Sequence, residues 1–502
     1  MLNLLTSQQT RQADAYTVAF NPVSFYELME NAGAAFVQAF TKKFPEKRRP
    51  ISIYCGTGNN GGDGLVIARL LHDHGYHSLS VKVARFSDRV TDDFEANHTK
   101  LLELKVPLLE FYEVLSLEED TAEIVIDALL GLGLNKPLEG KWKELVEYLH
   151  TLSALIVSVD VPAGFPSDGP VLKEATFIKA DWVITFQRPK INFLLPESAQ
   201  AIKQFEVVDI GLDERHIQSA ESPYCLLIEG DIRQRLKSRE RFSHKGTYGH
   251  ALIIAGSEET MGAALLCCEA SLYTGSGLTT ACIPADGLAA LNTRLPEVMA
   301  VVRNHSRPEL KWDKYQSVAI GPGLGTSSGS RKVVEETLKR YKKPIVIDAD
   351  GINVIAKNYE IMGLVPENSV FTPHVKEFDR LFGDHKCWWE RLETGIERAT
   401  HLGCTIVLKN QYTIIFTRDG KCIFNPSGTP AMATGGTGDV LTGVIASLMA
   451  QGYGPEDAAI VGVYVHGKAG RMLEEDENLA VVPAGLLPAK INQVISMLTG
   501  DL

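Results

Sequence analysis

The sequence predicts an α/β fold in two consecutive domains, each built from a sheet covered by helices. Three observations support this prediction. Short apolar runs alternate along the chain with stretches of helical periodicity. The chain has 502 residues, and at roughly 100–200 residues per domain this length predicts two or three domains. A polar stretch at 214–223 predicts a linker, which places the domains at 1–213 and 222–502.

The first half predicts a Rossmann-like, doubly wound domain. Its strand candidates are short, β-branched and apolar on both faces, as in a parallel sheet buried between helix layers. They lie at 51–55, 78–85, 123–131, 154–162 and 180–186, and the domain closes near 205–213. Helices are expected between the strands at 65–75 and 141–152.

The second half repeats the α/β pattern. Its strand candidates lie at 250–257, 317–323, 344–351, 404–410 and 412–420. The last of these continues into an expected hairpin, with its turn at Asp419-Gly420. An apolar stripe then predicts a helix with one buried face, formed by Val440, Leu441, Val444, Ile445, Leu448 and Met449.

Composition excludes several classes of protein. The net charge is −12, which disfavours broad nucleic-acid binding because that normally needs a basic face. No apolar stretch reaches the ~20 residues that span a bilayer, and the first residues lack the pattern of a secretion signal. Eight cysteines without a C-x-x-C pair fit reduced thiols rather than a zinc site. We therefore expect a cytoplasmic protein that binds neither nucleic acid nor membrane.

A first glycine turn, CGTGNNGGDG at 55–64, lies between a predicted strand and a predicted helix. Gly56, Gly58 and Gly61 satisfy G-x-G-x-x-G, in which glycines allow positive φ and close backbone approach. The helix that follows attracts phosphate at its N-terminus. The second strand ends in KVAR without the usual ribose-binding acid, which disfavours an ordinary NAD dehydrogenase. A purely structural turn stays an alternative.

Polar residues follow several strands of the first half. Asn60, Asp63, Asp127 and Asp160 all lie near the carboxyl ends of predicted strands, which line the ligand crevice of an open α/β sheet. Their oxygens suit a hard cation or sugar hydroxyls. The alternative for each aspartate is a helix N-cap.

A second glycine turn, ATGGTGD at 433–439, opens the predicted apolar helix. Its amides can point together at an anion, with help from the helix dipole. Asp439 would then lie beside the anion and could accept a hydroxyl proton during phosphoryl transfer. The alternative is a glycine-rich connection with Asp439 as an acid in the first turn of the helix.

Four segments of the first half resemble, in order, the NAD(P)H-hydrate epimerase domain: YELMENAGAAF, GTGNNGGDGLVIARLL, VIDALLGLGL and VDVPAGF. The resemblance covers about 1–213 and implies interconversion of the R and S forms of NADHX and NADPHX, the dinucleotides hydrated on the nicotinamide ring. It implies catalysis by Asp160 and substrate contacts from Asn59, Asn60, Gly61, Gly62, Asp63, Gly131, Leu132, Gly133, Leu134, Asn135, Lys136, Pro137 and Asp160.

The same resemblance implies a potassium ion on Asn60, on Asp127 and at position 163. The family usually has serine at that last position, whereas this chain has Ala163. The missing hydroxyl predicts a weaker potassium dependence.

The second half resembles the ADP-dependent NAD(P)HX dehydratase, which has a ribokinase-like fold. The segments GPGLG, TPHVKEF, NPSGTPAM, SHKGTYGHALIIAGS and HGKAGRML carry this resemblance over about 222–500. It implies that ADP phosphorylates the hydrate hydroxyl, after which phosphate leaves and NAD(P)H and AMP remain. Magnesium is expected because phosphoryl transfer needs charge neutralisation.

The implied dehydratase sites can be given residue by residue. Substrate contacts fall on Gly323, His374, Val375, Lys376, Glu377, Phe378, Asp379, Arg380 and Asp439, with Asp439 as the catalytic base. ADP contacts fall on Lys409, Asn410, Gln411, Tyr412, Thr413, Thr429, Pro430, Ala431, Met432, Ala433, Thr434, Gly435, Gly436, Thr437 and Gly438. The family usually has Pro-Gly where this chain has Val375-Lys376, and Gly at Asn410.

Two other functions remain as hypotheses. The C-terminal half could be a ribokinase-like small-molecule kinase, which predicts a stable phosphorylated product. The N-terminal half could be a dinucleotide-binding scaffold, which predicts no R/S exchange above the spontaneous rate. The expected partners are NADHX, NADPHX and ADP, and we expect a homo-oligomer.

Overall fold

The computed structural model describes residues 1–117, 119–133, 136–303 and 310–500. The chain forms two compact units. The N-terminal unit comprises Asn3–Ser222 and Cys387–Trp389, and the C-terminal unit comprises Met1–Leu2, Pro223–Lys386 and the chain from Glu390 onward.

Strands and helices alternate from the start of the chain to Ser222. The strands are β1 (Leu2–Asn3), β2 (Ile51–Cys55), β3 (Leu79–Ala84), β4 (Leu108–Phe111), β5 (Ile124–Ala128), β6 (Leu155–Val159), β7 (Trp182–Phe186) and β8 (Phe205–Val208). The helices are α1 (Ser7–Phe20), α2 (Phe25–Lys43), α3 (Asn59–Asp73), α4 (Asp92–Glu103), α5 (Gly140–Leu149) and α6 (Glu214–Ser219).

The N-terminal sheet has a doubly wound topology. Over the described residues its strand order is β4-β3-β2-β5-β6-β7-β8, and neighbouring strands run parallel. The chain therefore reverses its direction of travel across the sheet between β2 and β5. In open α/β sheets a ligand crevice forms at such a reversal, beyond the carboxyl ends of the strands. Asn60 follows β2, and Asp127 lies near the end of β5.

The C-terminal unit continues the alternation. Its strands are β9 (Tyr224–Leu226), β10 (His250–Ile254), β11 (Leu278–Ile283), β12 (Met299–Val302), β13 (Ser317–Ile320), β14 (Ile345–Ile347), β15 (Val370–Phe371), β16 (Thr405–Leu408), β17 (Ile414–Phe416) and β18 (Cys422–Phe424). Its helices are α7 (Glu229–Arg235), α8 (Met261–Thr274), α9 (Leu288–Arg294), α10 (Ser328–Arg340), α11 (Ala349–Lys357), α12 (Val375–Phe382), α13 (Trp388–Leu402), α14 (Thr437–Ala450), α15 (Pro455–Asp476) and α16 (Leu487–Thr499).

The second sheet is parallel at its centre and antiparallel at the hairpin. Its order over the described residues is β1-β9-β18-β17-β16-β15-β14-β13-β10-β11-β12. Strands β16, β17 and β18 pair antiparallel, which confirms the hairpin predicted at Asp419-Gly420. The two sheets with their helices confirm the predicted α/β class.

Helix α14 is buried more completely than its apolar stripe predicted. All six stripe residues are buried, but so are the remaining residues from Val440 to Ala450. Gly443 lies so close to the backbone of Cys267 in α8 that an added Cβ would collide with it. The small residues of α14 thus allow a second close helix contact, which hydrophobic periodicity alone does not reveal.

Several elements differ from the sequence-based prediction. Helix α3 begins at Asn59 rather than at 65, so the glycine turn forms its first turn. The stretch 214–223, predicted to be a linker, contains helix α6, which is capped by the Asp213 side chain. Strands β4, β11, β12 and β15 were not predicted, because they are short or partly polar. No helix in the described part of the chain combines the length and the apolarity that crossing a membrane requires.

Candidate active sites

The first glycine turn serves close packing rather than unusual backbone angles. The positive-φ glycines do not include Gly56, Gly58, Gly61 or Gly62, so that part of the prediction was wrong. A Cβ on Gly61 would collide with the carbonyl of Gly56, and one on Gly62 would lie 2.7 Å from the Met29 sulfur. The chain keeps negative φ because it enters helix α3 directly at Asn59. Glycine is needed here because the strand end and the helix start are pressed together.

Asn60 and Asp127 flank the reversal point of the N-terminal sheet. The Asp127 carboxylate is fully buried and accepts hydrogen bonds from Ser158 Oγ at 2.7 Å and from the amides of Ala163 and Leu129 at 2.9 and 3.2 Å. Burial raises the pKa of Asp127 to about 6, although these donors act against it. Asn60 is buried, and its Nδ2 has no hydrogen-bond partner among the described residues.

Asp160 is held in a strained conformation beside a buried lysine. Its φ of 62° lies in the left-handed region that non-glycine residues rarely adopt. Its Oδ1 forms an ion pair with Lys190 Nζ at 2.7 Å and accepts hydrogen bonds from the Phe186 amide at 2.9 Å and from Thr185 Oγ1 at 3.1 Å. No described residue donates a hydrogen bond to Oδ2. One ion pair and two hydrogen bonds thus fix Oδ1 of Asp160, while Oδ2 is available to a ligand.

Two more carboxylates interact with Asp160. Burial raises the pKa of Asp14 to about 6, while Lys190 acts to lower it. Burial, together with the charges of Asp160 and Asp14, raises the pKa of Asp63 well above its usual range. Clustered carboxylates with raised pKa values are typical of sites that move protons. Sequence patterns did not single out Asp14 or Lys190, because neither lies in a glycine turn or directly at a strand end.

Gly131, the first residue of the predicted segment 131–137, lies next to Asn60. An added Cβ on Gly131 would lie 3.3 Å from Asn60 Cβ, so the two residues are neighbours. A cavity of about 190 Å³ opens along the segment, lined by Ser7, Gly131, Leu132, Lys136, Pro137, Gly164, Phe165, Pro166, Ser167, Asp168, Pro170, Leu172 and Ala175. Leu134 and Asn135 lie outside the described residues.

A larger cavity of about 280 Å³ lies at the second glycine turn. Its lining consists of Lys409, Asn410, Gln411, Thr413, Asn425, Gly428, Thr429, Pro430, Met432, Ala433, Thr437, Gly438, Leu441, Val463, His466 and Gly467. Most residues of the two predicted nucleotide segments are therefore brought to one cavity. Tyr412, Ala431, Thr434, Gly435 and Gly436 are not in its lining. Asn425, Val463, His466 and Gly467 enter it from outside those segments.

One polar group in this cavity has no partner, and a second one fixes the adjacent loop. The Asn410 Nδ2 is buried and has no hydrogen-bond partner among the described residues. His466 Nε2 lies 3.0 Å from the Thr437 carbonyl, and burial lowers the pKa of His466 to about 4. A neutral imidazole that donates to this carbonyl fixes the loop just before the helix. Gly436, the N-cap of α14, has a φ of 92° that favours glycine.

Asp439 lies in the first turn of α14 among several charges. Burial, together with the charge of Asp348, raises the pKa of Asp439 to about 7, while Lys409 acts to lower it. Lys409 Nζ binds Asp348 Oδ1 at 2.8 Å, and Thr442 Oγ1 donates to Asp348 Oδ2 at 2.6 Å. An added Cβ on Gly438 would lie 3.1 Å from Lys409 Nζ. The lysine therefore lies against the helix start, between a buried carboxylate and the glycine turn.

The predicted substrate segment 374–380 divides between site and core. His374 caps helix α12, because its Nδ1 accepts a hydrogen bond from the Glu377 amide at 3.2 Å. The charge of Glu377 acts to raise the pKa of Asp439. Phe378 is buried, and Asp379 binds Arg391 at 2.7 Å and His385 at 2.9 Å. Phe378 and Asp379 thus serve the core, whereas Val375 is half-buried and Lys376 and Arg380 are exposed. On the other side, Thr260 Oγ1 donates to the Gly323 carbonyl at 2.6 Å.

The fold and the two sites define a two-domain α/β enzyme, with buried carboxylates beside a glycine-rich helix start in each domain. Comparison with known proteins agrees. The family described as YjeF-related protein N-terminus matches residues 26–192, and the family described as NAD(P)H-hydrate dehydratase matches residues 251–493.

Curated relatives extend over most of the chain. The bifunctional NAD(P)H-hydrate repair enzyme of Thermofilum pendens is 34% identical over 467 residues, covering 89% of this chain and 88% of the relative. The enzyme of the same name from Moorella thermoacetica is 33% identical, covering 93% and 92%. The chain therefore belongs to the family of bifunctional NAD(P)H-hydrate repair enzymes, which confirms both resemblances.

A solved structure is similar to part of the chain. The ADP/ATP-dependent NAD(P)H-hydrate dehydratase from Bacillus subtilis, co-crystallised with ATP and Mg²⁺, is 29% identical, with a TM-score of 0.49. It covers 55% of this chain and 98% of that one.

Proposed function

We propose that this protein repairs hydrated NAD(P)H in two steps, one in each domain. The N-terminal site interconverts R- and S-NAD(P)HX. The C-terminal site dehydrates the S form with ADP as the phosphoryl donor, giving NAD(P)H, AMP and phosphate. Family membership over most of the chain supports the pair of activities. The observation that carries the proposal is a carboxylate cluster in each domain: Asp160 with Asp63 and Lys190 in one, and Asp439 with Asp348 and Lys409 at the start of α14 in the other.

The geometry around Asp439 supports its proposed role as the base of the dehydration. The proposed base takes the proton of the hydrate hydroxyl while that oxygen attacks the β-phosphorus of ADP, and the bond to the α-phosphate breaks to release AMP. The new C–O–P ester then loses phosphate as the neighbouring carbon loses a proton, which restores the ring double bond. Lys409, fixed by Asp348 against Gly438, lies where it can stabilise charge on the transferred group.

The proposed nucleotide site is the cavity of about 280 Å³ that contains the unpartnered Asn410 amide. Magnesium would supply charge neutralisation on the phosphates, and phosphate oxygens and water commonly provide most of its ligands. Negative charge near Asp439 comes from Asp348, Asp350 and Glu377, since all three act to raise the pKa of Asp439. In the described part of the chain no three acidic, histidine or cysteine side chains lie close enough together to hold a metal ion, so phosphate oxygens and water would supply most of its ligands.

Epimerisation is assigned to the Asp160 cluster. Oδ2 of Asp160 is available to the hydrate hydroxyl, and burial raises the pKa of both Asp14 and Asp63, which favours their protonated forms. Lys190 acts as a positioning residue because it forms an ion pair with Oδ1 of Asp160 and its charge acts to lower the pKa of Asp14. Gly131, Leu132, Lys136 and Pro137 border the cavity that would receive the dinucleotide.

We predict that Lys190→Met slows R/S exchange about tenfold at pH 7 and moves its pH profile upward. Without the ammonium, the pKa of Asp14 rises further above about 6, so a carboxylate that must be ionised needs a higher pH. The measurement is the exchange rate between pH 5 and 9, with Lys190→Arg expected to restore most of the rate. A uniform loss at every pH would indicate a merely structural role.

A potassium ion fits Asn60 and Asp127. The buried Asp127 carboxylate has hydrogen-bond donors but no described cation partner, and a monovalent ion would compensate its charge. Ala163 contributes no side-chain oxygen, and its carbonyl already accepts from the Ile178 amide at 2.8 Å. The site therefore offers fewer ligands than one with serine.

We predict that Ala163→Ser strengthens the response to potassium. The Ala163 amide donates to Asp127 Oδ2, so a hydroxyl at this residue would add an oxygen next to that carboxylate. The expected result is a larger rise in melting temperature in KCl than in NaCl, together with a larger potassium activation of R/S exchange. An unchanged difference between the two salts would show that the side chain is not a ligand.

The proposed function is tested by incubating the protein with mixed NADHX epimers and ADP or ATP, following recovery of the absorbance of the reduced nicotinamide. Complete conversion of both epimers with ADP is expected. Conversion of only the S form would remove the epimerase activity and favour a scaffold domain. Accumulation of a stable phosphorylated product would favour the small-molecule kinase.

A further inference from the structure

A second cleft of the C-terminal unit lies beside the proposed dehydratase site. It has a volume of about 430 Å³ and is lined by Thr326, Asn353, Ala356, Lys357 and Arg380. These residues come from the loop after β13, from helix α11 and from helix α12. None of them lines the proposed nucleotide cavity, so the cleft is separate from it.

The cleft contains two positive charges that are not neutralised. Lys357 Nζ donates to Thr326 Oγ1 at 3.0 Å, and Arg380 Nη1 donates to Asn353 Oδ1 at 2.8 Å. In the described part of the chain, neither side chain forms an ion pair with a carboxylate. Unpaired cations that flank a concave surface attract anions, and arginine in particular suits phosphate oxygens.

The Asp350 carboxylate connects this cleft to the loop after β13, which contains Gly325. Asp350 Oδ2 accepts from the Gly325 amide at 2.8 Å, and Asp350 Oδ1 accepts from Asn353 Nδ2 at 3.3 Å. Asp350 is therefore engaged by amides, while the Asn353 amide separates it from Arg380. This arrangement orients the guanidinium without neutralising it.

The cleft also lies within electrostatic range of Asp439. Asp350 is among the charges that raise the pKa of Asp439, and Arg380 is three residues beyond Glu377, which acts on Asp439 as well. A dinucleotide whose hydrated ring is at Asp439 has its phosphates further along the molecule. Helix α11 runs from its N-cap Asp348, which binds Lys409 beside Gly438, to Asn353 and Lys357 in the cleft. The cleft has the opposite charge to those phosphates.

We propose that Lys357 and Arg380 bind a phosphate group of the hydrated dinucleotide during dehydration. This inference rests on the proposed function. The phosphate could be the 2′-phosphate, which only NADPHX carries, or the diphosphate that NADHX and NADPHX share. In the first case the cleft makes the enzyme prefer NADPHX.

The test uses Lys357→Met and Arg380→Gln in the full-length protein, with S-NADHX and S-NADPHX as substrates at saturating ADP. Each substitution should raise the KM about ten- to a hundredfold, because it removes a charged partner of the phosphate, and should leave kcat nearly unchanged. Lys332→Met on helix α10 is the matched control, since Lys332 is exposed and lies outside both cavities. Melting temperatures verify folding.

The outcomes separate the sources of phosphate. A KM increase for S-NADPHX alone identifies the 2′-phosphate, and equal increases for both substrates identify the diphosphate. An unchanged KM for both substrates, or a loss confined to kcat, overturns the proposal. A parent protein that dehydrates neither hydrate with ADP refutes the proposed function itself, whereas an active parent with unaffected variants refutes only the role of the cleft.

Discussion

Asp439→Asn is expected to abolish ADP-dependent recovery of NADH from S-NADHX, lowering the rate ~10²–10⁴-fold, or about 3–5 kcal/mol. The hydrate hydroxyl is a weak nucleophile, and its proton must leave as the phosphoryl group arrives. Asparagine keeps the shape of the side chain at the start of α14 but cannot accept that proton. The measurement is single-turnover dehydration of pure S-NADHX, together with ADP affinity and the rate of R/S exchange.

The pH dependence of the parent protein should report the same group. Because the pKa of Asp439 is raised to about 7, the base is largely protonated at pH 6. Dehydration should therefore increase about tenfold per pH unit below 7 and level off above it. Asp439→Asn should remove this limb from any residual rate.

Stability provides the control for this substitution. A raised carboxyl pKa means that the folded state loses stability as pH rises from the unfolded value of 3.8 through about 7. Removing the charge should therefore raise the melting temperature at pH 8 rather than lower it. Asp313→Asn, at an exposed residue of the same unit, should change neither rate nor stability appreciably. A dehydration rate for Asp439→Asn within tenfold of the parent would exclude Asp439 as the base.

The second large effect is expected from Asp160→Asn, which should slow R/S exchange ~10²–10⁴-fold. The remaining oxygen of asparagine can still accept from Lys190, Thr185 and Phe186, as Oδ1 of Asp160 does. Only the oxygen that faces the ligand is replaced, by an amide that donates instead of accepting. The rate is measured by following conversion of pure R-NADHX in the presence of excess dehydratase activity.

Dehydration of pure S-NADHX by the Asp160→Asn protein should persist at the parental rate, because that chemistry is assigned to the other unit. Asp73→Asn, at an exposed residue at the C-terminal end of helix α3, is the matched control. Loss of both activities in a folded Asp160→Asn protein would argue for one composite site. Parental R/S exchange would instead assign the proton transfer to Asp14 or Asp63.

Local sequence patterns singled out the candidate residues that lie near glycine turns and strand ends. Asn60, Asp127 and Asp160 were proposed because the carboxyl ends of parallel strands meet at one edge of a sheet, and Asp439 because it follows a glycine turn. Lys190 and Asp14 were missed because nothing in their immediate sequence marks them. They reach Asp160 from helix α1 and from the segment after β7, and only the folded chain brings these segments together.

The sequence by itself determined the α/β class, the order of most strands along the chain, the hairpin and the family. Periodicity and glycine spacing are local properties, so they can be recognised without knowing the fold. The tertiary structure decided that Oδ1 of Asp160 is held by one ion pair and two hydrogen bonds and that Lys409 is fixed by Asp348. It also decided that Lys357 and Arg380 have no carboxylate partner among the described residues. These properties depend on burial and on distances between segments far apart in the chain, because a charge acts on whatever lies within a few ångströms of it, whatever its position in the sequence.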